Sequence, residues 1–310
     1  MKKFLLLVAA IATVVAVDAK PKQSSSELDL RIGTYNIWSH SARKWQIKKK
    51  ATTESRNWEN SKKSVAKLIN KIDCDILGMQ EVTSVCRDDL EKLVSKKYEL
   101  WWVNTYPEGH KSVVGNAVFF KKKAFEFSEQ NIYYFSLTPE VRSKGWDEKR
   151  HYRAALTAVV THKKTGKKFF LIATHGPLAD VACGHAGRLI TEFDKKYNTE
   201  GLPTIVVGDM NAWQGDPKNA FYDNMTKHFE DTYHIAETKC GTIGTFNGSK
   251  GSEKNFTLSN RRIDHIYIRS TDKGKIRVKN YVVNRDKYKI DGAMRYPSDH
   301  NPVYVDIAIQ

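Results

Sequence analysis

Short apolar runs of four to six residues recur along this chain, and each stops on a polar or charged side chain. Ile76-Leu77-Gly78-Met79 runs out at Gln80-Glu81, Phe169 to Ala173 at Thr174-His175, and Ile205 to Val207 at Gly208-Asp209. Runs of that length, bounded by turn residues, build buried strands. The polar islands at their ends then meet wherever the strand ends meet. The C-terminus is the sharpest case, with Tyr296-Pro-Ser-Asp-His-Asn-Pro-Val303 leading an Asp-His pair into an apolar strand (Val303, Val305, Ile307). Chain ends usually fray, so this one is expected to be tied into a sheet.

The rest of the pattern mixes such strands with amphipathic helices. Strands are expected over Arg31 to Asn36, Asp75 to Gln80, Ala117 to Phe120, Pro203 to Val207, Ile263 to Arg269 and Val303 to Ile309. Arg153 to Val160 and Lys168 to Thr174 are joined by a hairpin signal around Gly166, and helices are expected over Ser61 to Lys71 and Gly187 to Lys196. From residue 30 to 310 no Pro/Gly/Ser linker appears, so these residues are expected to form one domain. Residues 20–29, with Ser24 to Ser26, read as a disordered lead-in.

The first 19 residues read as a secretory signal peptide: Lys2 and Lys3, an apolar run from Phe4 to Val17, then small residues at the cleavage spacing. The run is short for a membrane anchor, and export is the expected localisation. In an oxidising compartment, Cys74, Cys86, Cys183 and Cys240 admit two disulfides with three pairings open, while none of their spacings suits a zinc site. Three sequons, at Asn224, Asn247 and Asn255, are weak glycosylation signals. The formal net charge of +16, with lysines clustered at 48–50, 62–63, 121–123, 163–168 and 195–196, favours a polyanionic partner. Nucleic acid is the first expectation and an anionic lipid surface the second.

The polar islands restrict the chemistry. Asn36, Glu81 and Asp299 supply hard oxygen ligands without thiolate, which suits Mg²⁺ or Ca²⁺ better than zinc, with Mn²⁺ as a further substitute. His175, Asp209, Asn211 and His300 can orient water, contact phosphate and move protons. In an extended segment the two-residue spacing of Asp209 and Asn211 would point both side chains one way. Asp264 beside His300 would fix the ring's tautomer and favour its charged form. No Ser or Cys sits in a nucleophile elbow, so direct attack by water is the natural reading.

Taken together, Tyr35-Asn36, Gln80-Glu81, Thr174-His175, Gly208-Asp209-x-Asn211, Asp264 after Arg-Ile, and Ser298-Asp299-His300 resemble the endonuclease/exonuclease/phosphatase superfamily. Its members include deoxyribonuclease I, neutral sphingomyelinases and inositol polyphosphate 5-phosphatases. The resemblance covers about residues 30–310. It implies an α/β (α+β) four-layer sandwich, two packed and mainly antiparallel β-sheets flanked by helices. It also implies divalent-metal-dependent cleavage of a phosphoester by water. Carried over, Glu81 would be the principal metal ligand with Asn36 and Asp299 helping, Asp209 would orient or deprotonate the water, and Asn211 would hold a phosphate oxygen. Asp264 would orient His300, His175 would be the second histidine, and Arg153, or Arg150 close by, would contact substrate phosphate. Deoxyribonuclease I carries a glutamate partner for the second histidine. The nearest position here is Val114, which puts a proton-donor role for His175 in doubt.

The resemblance does not choose a substrate. A secreted nuclease fits the charge. A sphingomyelinase or inositol-phosphate phosphatase would want an apolar loop for a membrane surface, for which Trp101-Trp102 or Tyr133-Tyr134-Phe135 are candidates, although core strands suit them better. A non-catalytic secreted binding protein is the third reading, and it sits badly with a nearly complete catalytic set. A monomer is the default expectation.

Overall fold

The computed structural model describes residues 27–105, 114–146, 152–217 and 220–310 of the chain. In chain order these form β1 (Leu28–Asn36), α1 (His40–Lys48), α2 (Trp58–Ile72), β2 (Ile76–Thr83), α3 (Ser84–Leu93), β3 (Tyr98–Asn104), β4 (Val114–Lys121) and β5 (Phe125–Tyr134). There follow β6 (Ala154–His162), β7 (Lys168–His175), α4 (Asp180–Tyr197), β8 (Thr204–Asp209), α5 (Phe221–Thr226), β9 (Glu230–Asp231), α6 (Thr232–Ile235) and β10 (Thr238–Cys240). The chain closes with β11 (Asp264–Arg269), β12 (Ile276–Val283), β13 (Tyr288–Ile290), β14 (Ala293–Arg295) and β15 (Val303–Ile309).

Two sheets hold most of the strands, in the orders β10-β12-β15-β1-β2-β4-β3 and β5-β6-β7-β8-β11-β9. Both are mixed, with β1–β2 and β7–β8 as central parallel pairs and antiparallel neighbours around them. The strand period of two sorts their side chains between layers. Ile205 and Val207 of β8, with Ile266 and Ile268 of β11, enter the core between the sheets, where they meet Ile32, Ile76 and Val305 of the opposite sheet. Val206 and Tyr267 point the other way and meet Leu189, Ile190 and Phe193 of α4. On the far side Val65, Leu68 and Ile69 of α2 cover Leu77 and Phe119. Helix, sheet, sheet and helix give the four-layer sandwich expected from the sequence. Gly78 marks a close approach of the two sheets, since a Cβ there would lie 2.5 Å from Val207 Cγ2.

The signal-peptide reading of residues 1–19 lies outside the described residues, as does most of the lead-in. Leu28 and Asp29, expected in that lead-in, instead pair with Ile309 and Ala308 in the β1–β15 ladder. The last strand ties both ends of the domain into one sheet. The four cysteines are all free thiols, so the expected disulfides are not formed. Cys74, Cys86 and Cys183 are buried among apolar side chains and Cys240 lies on an exposed edge strand. Asn247, one of the sequons, is buried and donates to Ser298 O and Asn301 Oδ1, so it is a structural residue. Trp101 and Trp102 lie in β3 and Tyr133 and Tyr134 in β5, so neither group forms a membrane-seeking loop.

Two buried ionic groups hold the frame. Arg43 of α1 donates to the carbonyls of Trp38 (2.7 Å), Ile37 (3.0 Å), Arg56 (2.8 Å) and Pro297 (2.6 Å) and to Ser61 Oγ (2.9 Å). Its forked guanidinium matches carbonyls from three separate segments, a task for which an ammonium lacks donors. At the other edge, Asp194 of α4 accepts from Arg269 Nε (2.5 Å), Thr204 (2.5 Å) and Asn198 (3.1 Å) and contacts His228 (2.6 Å). Burial alone would raise its carboxyl pKa, but the bonds from His228, Arg269, Thr204 and Asn198 outweigh that and hold it well below the usual range.

Replacing Arg43 by Lys leaves carbonyls unpaired and should lower stability by about 2–3 kcal/mol, read as a shift in the denaturant midpoint. Asp194 contributes stability that is fully present above its unfolded pKa of about 3.9 and is lost as pH falls towards the depressed folded value. Asp194→Asn should therefore cost about 3 kcal/mol at neutral pH and flatten the acid limb of the stability profile. An unchanged limb would show that other carboxylates control acid unfolding.

Candidate active site

Asp209 closes β8, and the sheet register sets His175 of β7 on one side of it and Asp264 of β11 on the other. Directly opposed residues on neighbouring strands share a face, so three polar side chains leave this sheet as one row. The other sheet supplies Asn36 at the end of β1, paired with Gln80 of β2, and Glu81 one residue further on. The Asp299-His300 turn is seated against β1 by Ser298, whose Oγ donates to Asn36 O (2.8 Å) and accepts from the His300 amide (3.2 Å).

The two sheets meet through Asn36. Its Nδ2 donates to Asp209 Oδ2 (2.9 Å) and to Glu81 Oε1 (3.2 Å), while its Oδ1 accepts from the Trp38 amide (2.9 Å). Asp209 Oδ2 is also approached by His175 Nε2 (3.5 Å) and His300 Nε2 (3.7 Å), and Oδ1 accepts from the Asn211 amide (3.0 Å). His300 Nδ1 lies 2.9 Å from Asp264 Oδ2, which also accepts from Thr245 Oγ1 (2.6 Å). Asn211 Nδ2 donates to Gly176 O (3.0 Å).

Three non-glycine residues here have left-handed backbones: Trp38 (φ +56°), Glu81 (φ +60°) and Asn211 (φ +52°). Each such residue costs roughly 1–3 kcal/mol, and each lies just beyond a regular ladder. Glu81 falls where the β2–β4 register shifts between Met79 and Val82, a bulge that re-aims one side chain. The bend at Asn211 overturns the expectation that Asp209 and Asn211 extend in parallel. The strand ends at Asp209, and Asn211 folds back to bond it.

Burial dominates the electrostatics. It pushes the Asp209 carboxyl up to about 7, with the Asp264 charge adding to the rise and the His300 charge and the Asn36 bond opposing it. Burial likewise lifts Asp299 to about 6, where His300 opposes and Glu81 adds. For His300 burial acts against the charged ring, yet Asp264 and Asp209 raise its pKa well above the ordinary histidine value. One ligand atom from each of Asp209, Asp264 and His300 lies within 4.8 Å of the others. The charged imidazole, lying between two carboxylates, offsets one of their two negative charges. Glu81 and Asp299 are different: two carboxylates close enough to repel, with Asp299 held towards its neutral form, as suits a hard divalent cation.

All of the sequence-predicted residues with described positions thus converge, with one adjustment. Asn36 spends its amide nitrogen on two carboxylates and its oxygen on a backbone amide, so it organises ligands more than it offers one. Arg153 and His175 line a narrow cleft with Thr105, Val114, Asn116 and Tyr152, while Arg150 lies outside the described residues. Val114 does occupy the edge of that cleft, and the carboxylate near His175 is Asp209. Residues the sequence did not flag are Arg43, Thr245 and the rim pair Phe246–Arg261. Phe246 lies 4.8 Å from the His300 ring, and the Arg261 guanidinium lies 5.7 Å from the Phe246 centroid. Arg43, Thr245 and Phe246 come near the site only through the fold, and Arg261, three residues before Asp264, carries no motif of its own.

The comparisons agree with this geometry. A model of the Endonuclease/Exonuclease/phosphatase family matches residues 33–300. A solved endonuclease/exonuclease/phosphatase family protein from Bacteroides thetaiotaomicron is 25% identical, with a TM-score of 0.78 over 91% of this chain and 96% of that one. A mannosyl-6-phosphatase from the same species is also 25% identical (TM-score 0.75, 90% and 99% covered). D. rerio TDP2 complexed with single-strand DNA product shares the fold at 18% identity (TM-score 0.61, 90% and 98% covered). None of the curated protein sequences matches the chain. The strand-end constellation and the family match together place this chain in the endonuclease/exonuclease/phosphatase family, whose members are hydrolases of phosphoester bonds.

Proposed function

We propose that this chain is a secreted, divalent-metal-dependent phosphodiesterase that cuts nucleic acid by direct attack of water. The observation that carries the hydrolytic reading is the Asp264–His300 pair facing Asp209 across from Glu81 and Asp299. Glu81 and Asp299 would hold Mg²⁺, which when bound supplies a Lewis acid for the phosphoryl oxygens and the leaving oxygen. The remaining chemistry belongs to the chain. Asp209, with a pKa near neutrality, is suited to orient the water and take its proton. His300, kept charged by Asp264, donates to a phosphoryl oxygen as negative charge builds there. Asn211 and Arg153 border the position of the phosphate, and His175 stands on the leaving-group side.

The rim supports a nucleic-acid substrate. Phe246 with Arg261 flanks His300 on one side. On the other, Tyr152 borders the His175 cleft, with Arg142 5.3 Å and Lys144 5.5 Å from its ring. Aromatic faces with adjacent cations suit stacked bases and their phosphates. A sugar-phosphate phosphatase is the second reading, favoured by the likeness to the mannosyl-6-phosphatase. The lipid-headgroup reading loses its proposed membrane loops, since those aromatics lie in strands.

Purified protein with Mg²⁺ should nick plasmid DNA, and chelator should abolish this. Glu81→Gln, Asp209→Asn and His300→Ala should each lower turnover by about 10² or more with folding intact. Phe246→Leu should raise KM for an oligonucleotide about tenfold while sparing turnover of bis(p-nitrophenyl) phosphate. Rapid release of phosphate from mannose 6-phosphate without nicking would favour the second reading.

A further inference from the structure

The lysine runs at 121–123 and 163–168 do not border the site. Strand β7 begins at Lys168 and ends at His175, seven steps of ~3.3 Å or roughly 23 Å. The β6–β7 turn therefore lies at the opposite edge of the sandwich. The β4–β5 turn lies there too, because β4 runs antiparallel to β2 and Phe120 pairs with Ile76 at the start of that strand. Backbone contacts join these turns: Lys163 N donates to Ala124 O (2.8 Å), and Lys122 N to Lys97 O (3.1 Å). Lys163 Nζ donates to Lys122 O (2.8 Å).

One edge thus gathers Lys96, Lys122, Lys123, Lys163, Lys164 and Lys167, all exposed except the half-buried Lys167. Among the described residues none of the six makes an ion pair. Three acids of this region are engaged by other lysines, Asp73 and Asp75 by Lys97 and Lys121 and Glu200 by Lys168. Glu99 and Glu126 border the cleft beside Lys122 and Lys163 and leave lysine in excess. At about 8 Å screening length in physiological salt, charges this far away do little for the field at a phosphate beside His300.

We propose that this edge is a second binding surface, for the backbone of duplex nucleic acid, separate from the catalytic edge. The β4–β5 loop, which crosses between the sheets, and the β6–β7 loop beside it present their lysines side by side, as binding to a phosphate backbone requires. No large exposed apolar side chain lies on these turns, and membrane docking draws on apolar insertion as well as charge. Holding a polymer at one edge raises its effective concentration at the other. The proposal stands whichever phosphoester the catalytic edge hydrolyses.

The test is anisotropy of a labelled short duplex in chelator, titrated with wild type and with Lys122→Glu/Lys164→Glu/Lys167→Glu, between about 50 and 200 mM salt. The triple variant should bind at least tenfold more weakly, with a log–log salt slope shallower by about three. Its circular dichroism and its turnover of bis(p-nitrophenyl) phosphate should match wild type. Arg153→Ala/Arg261→Ala at the catalytic edge should leave the chelated duplex affinity within about twofold. An unchanged Kd and slope in the lysine variant would overturn the proposal. So would loss of binding in the arginine variant alone, or binding to phosphatidylserine vesicles without binding to duplex.

Discussion

The site depends on one side-chain amide shared between two sheets. The two hydrogens of Asn36 Nδ2 go to carboxylates on different sheets, Glu81 on its own and Asp209 on the other. Left unbridged, the two carboxylates would repel. A neutral donor between them lets both remain close without adding a charge that would compete with a cation. The close approach at Gly78 and Val207 makes the bridge short enough to form. Separation of the sheets by even the width of a methyl group would break it.

Around that bridge, strain and rigidity are kept apart. The ladders are regular up to Asn36, His175 and Asp209, and the left-handed residues Trp38 and Asn211 follow immediately, with Glu81 at a bulge in β2. The unfavourable backbone is held by buried groups, chiefly Arg43, whose donors reach the Ile37, Trp38 and Pro297 carbonyls at once. A single guanidinium therefore fixes both the segment after β1 and the turn that carries Asp299 and His300.

Much of this was legible in the sequence because strand ends are written there as a change from apolar to polar. The strand over Val303 to Ile309 matches its expected bounds, and the central strands differ by a few residues. The helices expected at Ser61 to Lys71 and Gly187 to Lys196 match α2 and α4 but are short at their starts, where Glu59 and Asn60 in α2 and Gly184-His185 in α4 interrupt the apolar pattern. What the sequence hid was non-local. Thr245 supports Asp264 from 19 residues away, and Phe246 reaches His300 across 54 positions of chain. Where the charge sits was hidden for the same reason. Lysine clusters are visible in sequence, but the edge they occupy is set by strand direction, which composition does not carry. Cysteine count misled likewise, because pairing depends on where each thiol is buried.

The rim of the site is unequal on its two sides. Phe246 and His300 form a backbone bridge, and the Asn247 and Asn301 amides bond Asp299 O and Thr245 O on either side of it. The ring that would touch a substrate and the ring that would act on it thus belong to one short ladder. Any change in the backbone path of that loop to accept a new substrate must also displace the reacting imidazole. Changes of preference in this protein's lineage are therefore expected to accumulate on the Tyr152 side, where the aromatic ring and the His175 imidazole come from separate segments.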